Sequence, residues 1–589
     1  MTQVTPRDNR VKAEFAGIKA WLWNPIFQIE ITALTALVVY AASLVNGFTY
    51  DDYLVVVKNP WIGRDGFFAA LFSMRYFDIS GEASYRPVVT FFYWICSAVA
   101  GPNPFTFHLL SVVLHAFTVA AVTRLAQKVG LRVWALWVGL AFAVHPILSE
   151  AICGIGFCED ILTTFFLVVS ILFLFHFAAN PHRVSSYVAV LASMAAFLFA
   201  LFSKESAVAL IPVVAVLAWL APLIDLDRRR VVYGLVFLLP VAVFYLWVRF
   251  VTMPGSSAAA FPLSQDPGVV IATSSKIIFS YLGRLFFPTG MSICRITQPV
   301  EADSLIFLLS ISSHFLLVFI AFALRKHLPL FLFGILWFYF SLAPVSNIVP
   351  IFNPEADRYL YLPSVGFFLA TGAIFQALSV QAMAFHRYVL VTVVILMGFW
   401  TGKTIVREGD WFDNSTLWKR ELSVNPRNTR AMTELAIDAN HMGRYAESEK
   451  FSREVLAIDS NLALAKLQLA KSLLMQARNN EAFLIYLSLL QQGGLHPHHL
   501  SQAWFDMAYL FHRVMNDRGQ AVTAYRNVLA IDPFHLGASL NLADLYMDMG
   551  DFVSAASVCR EALDKFPASI ELKECLLKVE QRMREKDSL

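Results

Sequence analysis

Charge is scarce in this chain: only 15% of its 589 residues are Asp, Glu, Lys or Arg, while 57% are hydrophobic. Soluble domains carry about 25% charged residues, so a wholly soluble fold is excluded and a polytopic membrane protein is implied. The net charge is only +3, which offers no basic field for nucleic acid. Cysteine is equally sparse. There are six, none at metal-ligand spacing, and the Cys153/Cys158 pair reads either as a strained local disulfide or as two small apolar residues. No metal site and no cofactor is expected. Also missing is a small-residue cleavage site after the basic N-terminal residues Arg7, Arg10, Lys12 and Lys19, so the start reads as cytoplasmic and not as a removed signal. Finally, the apolar runs hold few ionisable groups at mid-membrane. A proton- or ion-coupled transporter needs them there, and transport is set aside on that ground.

What the chain does have is unevenly placed. Apolar runs recur to about residue 403, and a polar, helix-forming sequence follows, which predicts a membrane domain over 1–406 and a second domain over 407–589. Short basic loops occur at Arg124–Lys128–Arg132, His182–Arg183, Arg228–Arg230, Arg325–His327 and Arg387. All are cytoplasmic only if 85–101 and 269–287 lie on the outer surface; the first ends in a Pro/Gly cluster and the second is broken by Ser275, Lys276 and Arg284. Eleven spans remain, near 27–46, 105–124, 131–146, 160–179, 184–203, 206–222, 231–252, 303–324, 329–345, 362–380 and 387–403. That odd count sends the second domain outside.

The second domain repeats. Pro426, Ser460, Pro497, Pro533 and Pro567 end units spaced by 34, 37, 36 and 34 residues, the length of a helix–turn–helix repeat. Unit 534–567 fits the tetratricopeptide pattern best, with Leu542, Ala543, Tyr546, Gly550, Ala555, Ala562 and Pro567 in register, whereas 461–497 is degenerate. About four repeats are expected, with 568–584 as a cap. Such stacks leave a concave groove suited to an extended peptide; the alternative is a structural spacer. The predicted fold class is therefore all-α, a polytopic helical membrane domain followed by an α-solenoid.

The outer loops concentrate acids and bases beside the spans: "YDDY" at 50–53, "HPILSEAICGIGFCED" at 145–160, "FSKESAV" at 202–208 and "NPEADRYLYLPSVGF" at 353–367. A site at that depth suits the meeting of a water-soluble acceptor with a lipid whose phosphate lies in the headgroup layer. A carboxylate takes the proton from an acceptor hydroxyl as it attacks an anomeric carbon, and Arg or Lys stabilises charge on the departing phosphate. Asp51 and Asp52 are the candidate base, with coupled titration because like charges adjoin; the alternative is a turn or helix cap after a span. Arg358 and Lys204 are candidate phosphate ligands, or else snorkelling anchors. Arg86 is counted with them as a candidate donor- or phosphate-binding residue, and is expected also to fix the first outer loop against Asp51 or Asp52. Glu150 and His145 are expected to orient the catalytic loop, although an "HP" turn also accounts for His145. His108 and His115, seven apart, read as packed or hydrogen-bonded and not as metal ligands.

The order of these motifs, with "FHLLSVVLHA" (107–116) between them and "DWFDNSTLWKRELSVNPRN" (410–428) leading into the repeats, resembles the TMTC family of transmembrane O-mannosyltransferases with tetratricopeptide repeats. The resemblance covers nearly the whole chain. It implies a GT-C glycosyltransferase that takes a sugar, mannose in that family, from a polyprenyl-phosphate donor. The sugar passes to Ser/Thr hydroxyls of a protein acceptor on the non-cytoplasmic side, by an inverting mechanism. The base is an acid of the first outer loop, which carries onto Asp51 and Asp52; Glu150, Asp160, Glu205, His145 and Tyr361 are supporting candidates. Where the family has "GRAD", this chain has "GFCED": Asp160 is kept and the Arg is absent, so no donor-binding role is carried to that loop. The short repeat array is read as that of a bacterial relative, in the inner membrane with the repeats in the periplasm. Two other functions stay open, a transferase acting on a lipid or glycan and a non-enzymatic membrane-anchored scaffold.

Overall fold

The computed structural model describes residues 23–587 apart from 58, 60–66, 75, 78–83, 180–183, 255–262, 382 and 568. The basic residues Arg7, Arg10, Lys12 and Lys19 and the His182–Arg183 loop lie outside the described residues. The described chain is helical throughout, with no strand, and divides into two compact units, 1–420 and 421–589. The segment 407–420, expected with the second domain, belongs to the first unit: Trp411 and Trp418 are fully buried, and Asn414 accepts the Tyr50 N–H at 3.0 Å.

Among the described residues of the first unit, ten helices are long and apolar enough to cross a membrane. An eleventh candidate is a pair, Trp134–Val144 and Pro146–Cys153, bent by 48°. The bend has a local cause, because Pro146 has no N–H to continue the ladder and His145 turns to extended backbone. Two expectations about the spans meet different geometry. Pro267–Phe286, expected on the outer surface, satisfies the length and composition of a span. Its polar residues are internally satisfied: Ser275 bonds Ser310, and Arg284 pairs with Glu355 and Asp357. Pro329–Val345, expected as a span, is a shorter apolar helix, as is Pro87–Ala100.

Caps and close approaches set the helix packing. Asn24 and Asn103 accept the first free N–H groups of Pro25–Val39 and Pro104–Lys128, each helix opening with the proline whose missing N–H costs nothing there. Thr32 and Thr123 share a buried hydroxyl bond of 2.9 Å. A side chain on Gly139 would collide with both. Gly334 and Gly366 likewise bring two helix backbones into contact, the small-residue crossing favoured where lipid supplies no hydrophobic drive.

The second unit is a run of antiparallel helix pairs: Thr429–His441 with Tyr445–Ile458, Ala463–Met475 with Asn479–Gln492, Pro497–Tyr509 with Arg518–Ile531, and Leu536–Asp548 with Phe552–Lys565, followed by Ile570–Asp587. Four helix pairs thus precede that last helix among the described residues. The turns of the first and fourth use Gly443 and Gly550 at φ 72° and 74°. The second unit reads as degenerate because Ala477 and not glycine takes the left-handed turn position, at φ 60°; in the third it is Asn516, at φ 52°.

Candidate functional site

Four charged loops converge at one end of the first unit. The chain leaves the helix Pro25–Val45 through Asn46, whose side chain donates to the Glu408 carbonyl, and turns at Tyr50 with φ 51°. This turn carries Asp51 and Asp52, and the two differ. Asp52 is 1% exposed. Its Oδ2 accepts the Thr49 N–H at 2.9 Å and its Oδ1 accepts the Gly156 N–H at 2.7 Å, so it clasps the loop after Pro25–Val45 to the 154–157 turn. Burial pushes its acid up to about 7 against the pull of the Thr49 and Gly156 amides, and the neighbouring Asp51 charge adds to the rise. Asp51 is only half-buried, with its Cβ against Gly156.

From Gly156 the site runs on through an aromatic step. Phe157 stacks under the Arg358 guanidinium at 4.1 Å from ring centre, and Tyr359 lies between Arg358 at 5.1 Å and Lys204 at 5.3 Å. Beyond it lies a chain of ion pairs. Glu150 holds Arg358 through both its side chain and its backbone N–H. Lys204 is bound by both oxygens of Asp160 at 2.7 Å and by Glu159 at 3.0 Å. Burial alone would pull the Lys204 ammonium down, but Asp160 and Glu159 hold it up. Arg86 reaches Glu159, and Glu205 at 3.0 Å.

Most candidates from the sequence thus meet in one connected cluster: Asp51, Asp52, Glu150, Asp160, Lys204, Glu205, Arg358 and Arg86. Arg86, expected beside Asp51 or Asp52, reaches Glu159 and Glu205. Arg358 and Lys204 are already neutralised by buried carboxylates. His145 and Tyr361 lie deeper. The His145 Nε2 donates to the Leu285 carbonyl at 3.1 Å, and the Tyr361 hydroxyl bonds His115 Nδ1 at 2.7 Å. His108 bonds the Gly47 carbonyl at 3.3 Å. Cys153 and Cys158 are separate buried thiols.

Three features were not singled out in the sequence. Glu159 bridges Arg86 and Lys204. A second knot holds Arg284 and Arg295 between Glu355 and Asp357, with the Ser292 N–H on Asp357 at 3.1 Å. The third is Arg249, near the C-terminal end of Arg228–Thr252; among the described residues its guanidinium bonds the Ser84 hydroxyl at 3.5 Å and pairs with no carboxylate. The positive-inside rule was the available signal: the topology expected from the sequence puts this arginine at an outer helix end, against the bias that governs the loops.

Comparison with known proteins gives the following. Residues 515–576 match the tetratricopeptide repeat family model. The chain is similar to a protein O-mannosyl-transferase of Caenorhabditis elegans, 25% identical over 72% of this chain and 61% of that protein. It is similar also to protein O-mannosyl-transferases TMTC2 and TMTC3 of Mus musculus. These are 24% and 20% identical, over 74% and 91% of this chain and 62% and 64% of those proteins. The chain thus spans less than two thirds of the length of these curated relatives. A solved structure, the Cut9–Hcn1 hetero-tetramer, aligns over 87% of this chain and 94% of that one, at 12% identity with a TM-score of 0.28.

Proposed function

We propose that this chain, a relative of the TMTC-type protein O-mannosyl-transferases, is a membrane glycosyltransferase that moves a sugar from a polyprenyl-phosphate donor to Ser/Thr hydroxyls of a protein. The observation that carries the reading is the clasp between Asp52 and Gly156, which sets the half-buried Asp51 at the edge of a dense cluster of outer-loop charge. Asp51 takes the acceptor's hydroxyl proton. The freed oxygen attacks the anomeric carbon, and the phosphate leaves with the bonding electrons in one in-line step that inverts that centre. Asp52, with both oxygens engaged by backbone amides, positions the loop.

The leaving phosphate needs positive charge that is not already spent. Arg86, Lys204 and Arg358 face four carboxylates, Glu150, Glu159, Asp160 and Glu205, so the cluster has no surplus. Arg249 fits better, because its fork of donors suits a phosphate and no carboxylate among the described residues competes for it. The repeats, read as lying on the non-cytoplasmic side, supply a groove for the protein acceptor.

The test is transfer of labelled mannose from dolichyl- or undecaprenyl-phosphate mannose to an unfolded protein acceptor by the purified chain in detergent. Asp51→Asn should abolish transfer while the protein stays monodisperse. Full activity in that variant overturns the assignment of the base. If the wild type neither binds nor consumes the donor, the scaffold reading takes its place.

A further inference from the structure

Cys559 and Cys575 lie on neighbouring helices, Phe552–Lys565 and Ile570–Asp587, with their sulfurs 3.1 Å apart. The pair is set in an apolar pocket with Ala543, flanked by Leu540, Met547, Val558 and Leu576. Cys559 is fully buried and Cys575 is 8% exposed. Neither side chain serves the site described in the first unit. A free cysteine in such a pocket is an ordinary small apolar residue. Two sulfurs aimed at each other and already inside ordinary contact distance are a different matter, since a disulfide needs only about 1 Å of further approach to its bond length of about 2.05 Å.

We infer that Cys559 and Cys575 form a disulfide that staples the helix Ile570–Asp587 to the last recognised repeat. The oxidant is a second disulfide, that of glutathione or of a thiol oxidoreductase. Cys575, the one that reaches solvent, attacks it first as the thiolate, forming a mixed disulfide and releasing one thiolate. Cys559 then gives up its proton and attacks the Cys575 sulfur, releasing the second thiolate. The two cysteines lose two electrons and two protons together, and the oxidant's disulfide becomes two thiols. The ordering of the two thiols agrees: the S–H of Cys559 points to Cys575, which holds the Cys575 thiol below its usual range and raises that of Cys559. With the repeats on the non-cytoplasmic side, as the proposed function has them, the pair meets the oxidising conditions in which disulfides persist. The staple acts where it is most needed, because each helix of a solenoid is held only by its immediate neighbours.

The experiment incubates the full chain, native and monodisperse in detergent, with oxidised glutathione, then alkylates free thiols and digests with trypsin. The expected product is a single linked species joining peptide 527–560 to peptide 574–578, reversed by dithiothreitol. Thermal unfolding of the repeat unit should move up by several degrees on oxidation in the wild type and not at all in Cys575→Ser. Alkylation of both thiols after the oxidant, or separate glutathione adducts on each, overturns the inference. So does a linked species with no change in unfolding temperature, since the bond would then hold nothing that the fold does not already hold.

Discussion

Asp52 accepts the N–H of Gly156 at 2.7 Å, tying two loops 104 residues apart in sequence at the mouth of the first unit. The carboxyl has little solvent to stabilise its charge, and its acid is raised from 3.8 to about 7. The folded state therefore keeps its proton over a range in which the unfolded chain has lost it. Stability from this group is fully present below about pH 4 and is lost as pH rises to about 7, a swing on the order of 4 kcal/mol at most. Asp52→Asn cannot titrate, so its thermal midpoint should change less than the wild type's across that window. Equal pH profiles for the two proteins would show that Asp52 is not the group responsible.

Gly156 should be intolerant of any side chain. A Cβ there would stand 3.3 Å from the Asp51 Cβ and 3.4 Å from the Asp52 Oδ1, so the loop must yield by a few tenths of an ångström. Gly156→Ala should lower transfer by about three- to tenfold with insertion unchanged, as expected of a small misplacement of a reacting group. Gly156→Val should do worse. Unchanged turnover in both would mean that the clasp does not set the position of Asp51.

Arg249→Ala should reduce kcat/KM for the lipid-linked donor by roughly thirty- to a thousandfold, the size of one lost charge-assisted contact to a leaving group. Arg249→Lys should retain part of the rate. Thermal stability should barely move, because Arg249 supports no ion pair among the described residues. A large loss of stability with no effect on donor turnover would identify it as a structural anchor.

Arg358 and Glu150 predict the opposite behaviour. Both are buried, and removing either strands its partner, at a cost of about 3–5 kcal/mol. Arg358→Met and Glu150→Leu should each destabilise the protein strongly. The double variant should be more stable than either single one. Additive losses in a double-mutant cycle would show that the two groups do not act as a pair.

Orientation is open to a direct measurement. A reporter active only outside the cytoplasm should work when fused after Ser415 and fail when fused after Arg229, since basic loops stay inside. The reverse result would put the repeats in the cytoplasm, where no lipid-linked sugar of the outer leaflet meets their groove.

Much of this arrangement was legible in the chain itself. Apolar run lengths carry the membrane helices, and a spacing of 34 to 37 residues carries the repeats, even through Ala477, because repeat length nearly survives when turn chemistry does not. The charged loops were recognisable because charge is rare elsewhere in the membrane domain. Partner choice was not legible: nothing local says that Arg86 meets Glu159 and Glu205, since those pairs join segments 73 and 119 residues apart. Nor was the division of labour between Asp51 and Asp52, which depends on a backbone amide from a distant glycine. The partners of Arg284 were equally hidden: the sequence shows Ser275, Lys276 and Arg284 breaking an apolar run, while the two acids that neutralise Arg284 lie some seventy residues downstream.

The crossing of Gly334 with Gly366 bears on how the protein is made. Pro329–Leu342 and the single 3₁₀ turn that ends it rise only about 25 Å at 1.5 Å per residue, short of a hydrocarbon layer about 30 Å thick. Such a segment is poorly retained by lipid when it leaves the translocation machinery alone. Its backbone seat against Tyr361–Gln381 exists only after that later helix has been synthesised. Biogenesis should therefore commit the two as a hairpin, and a ribosome stalled before Gly366 emerges should leave Pro329–Leu342 still extractable from the bilayer.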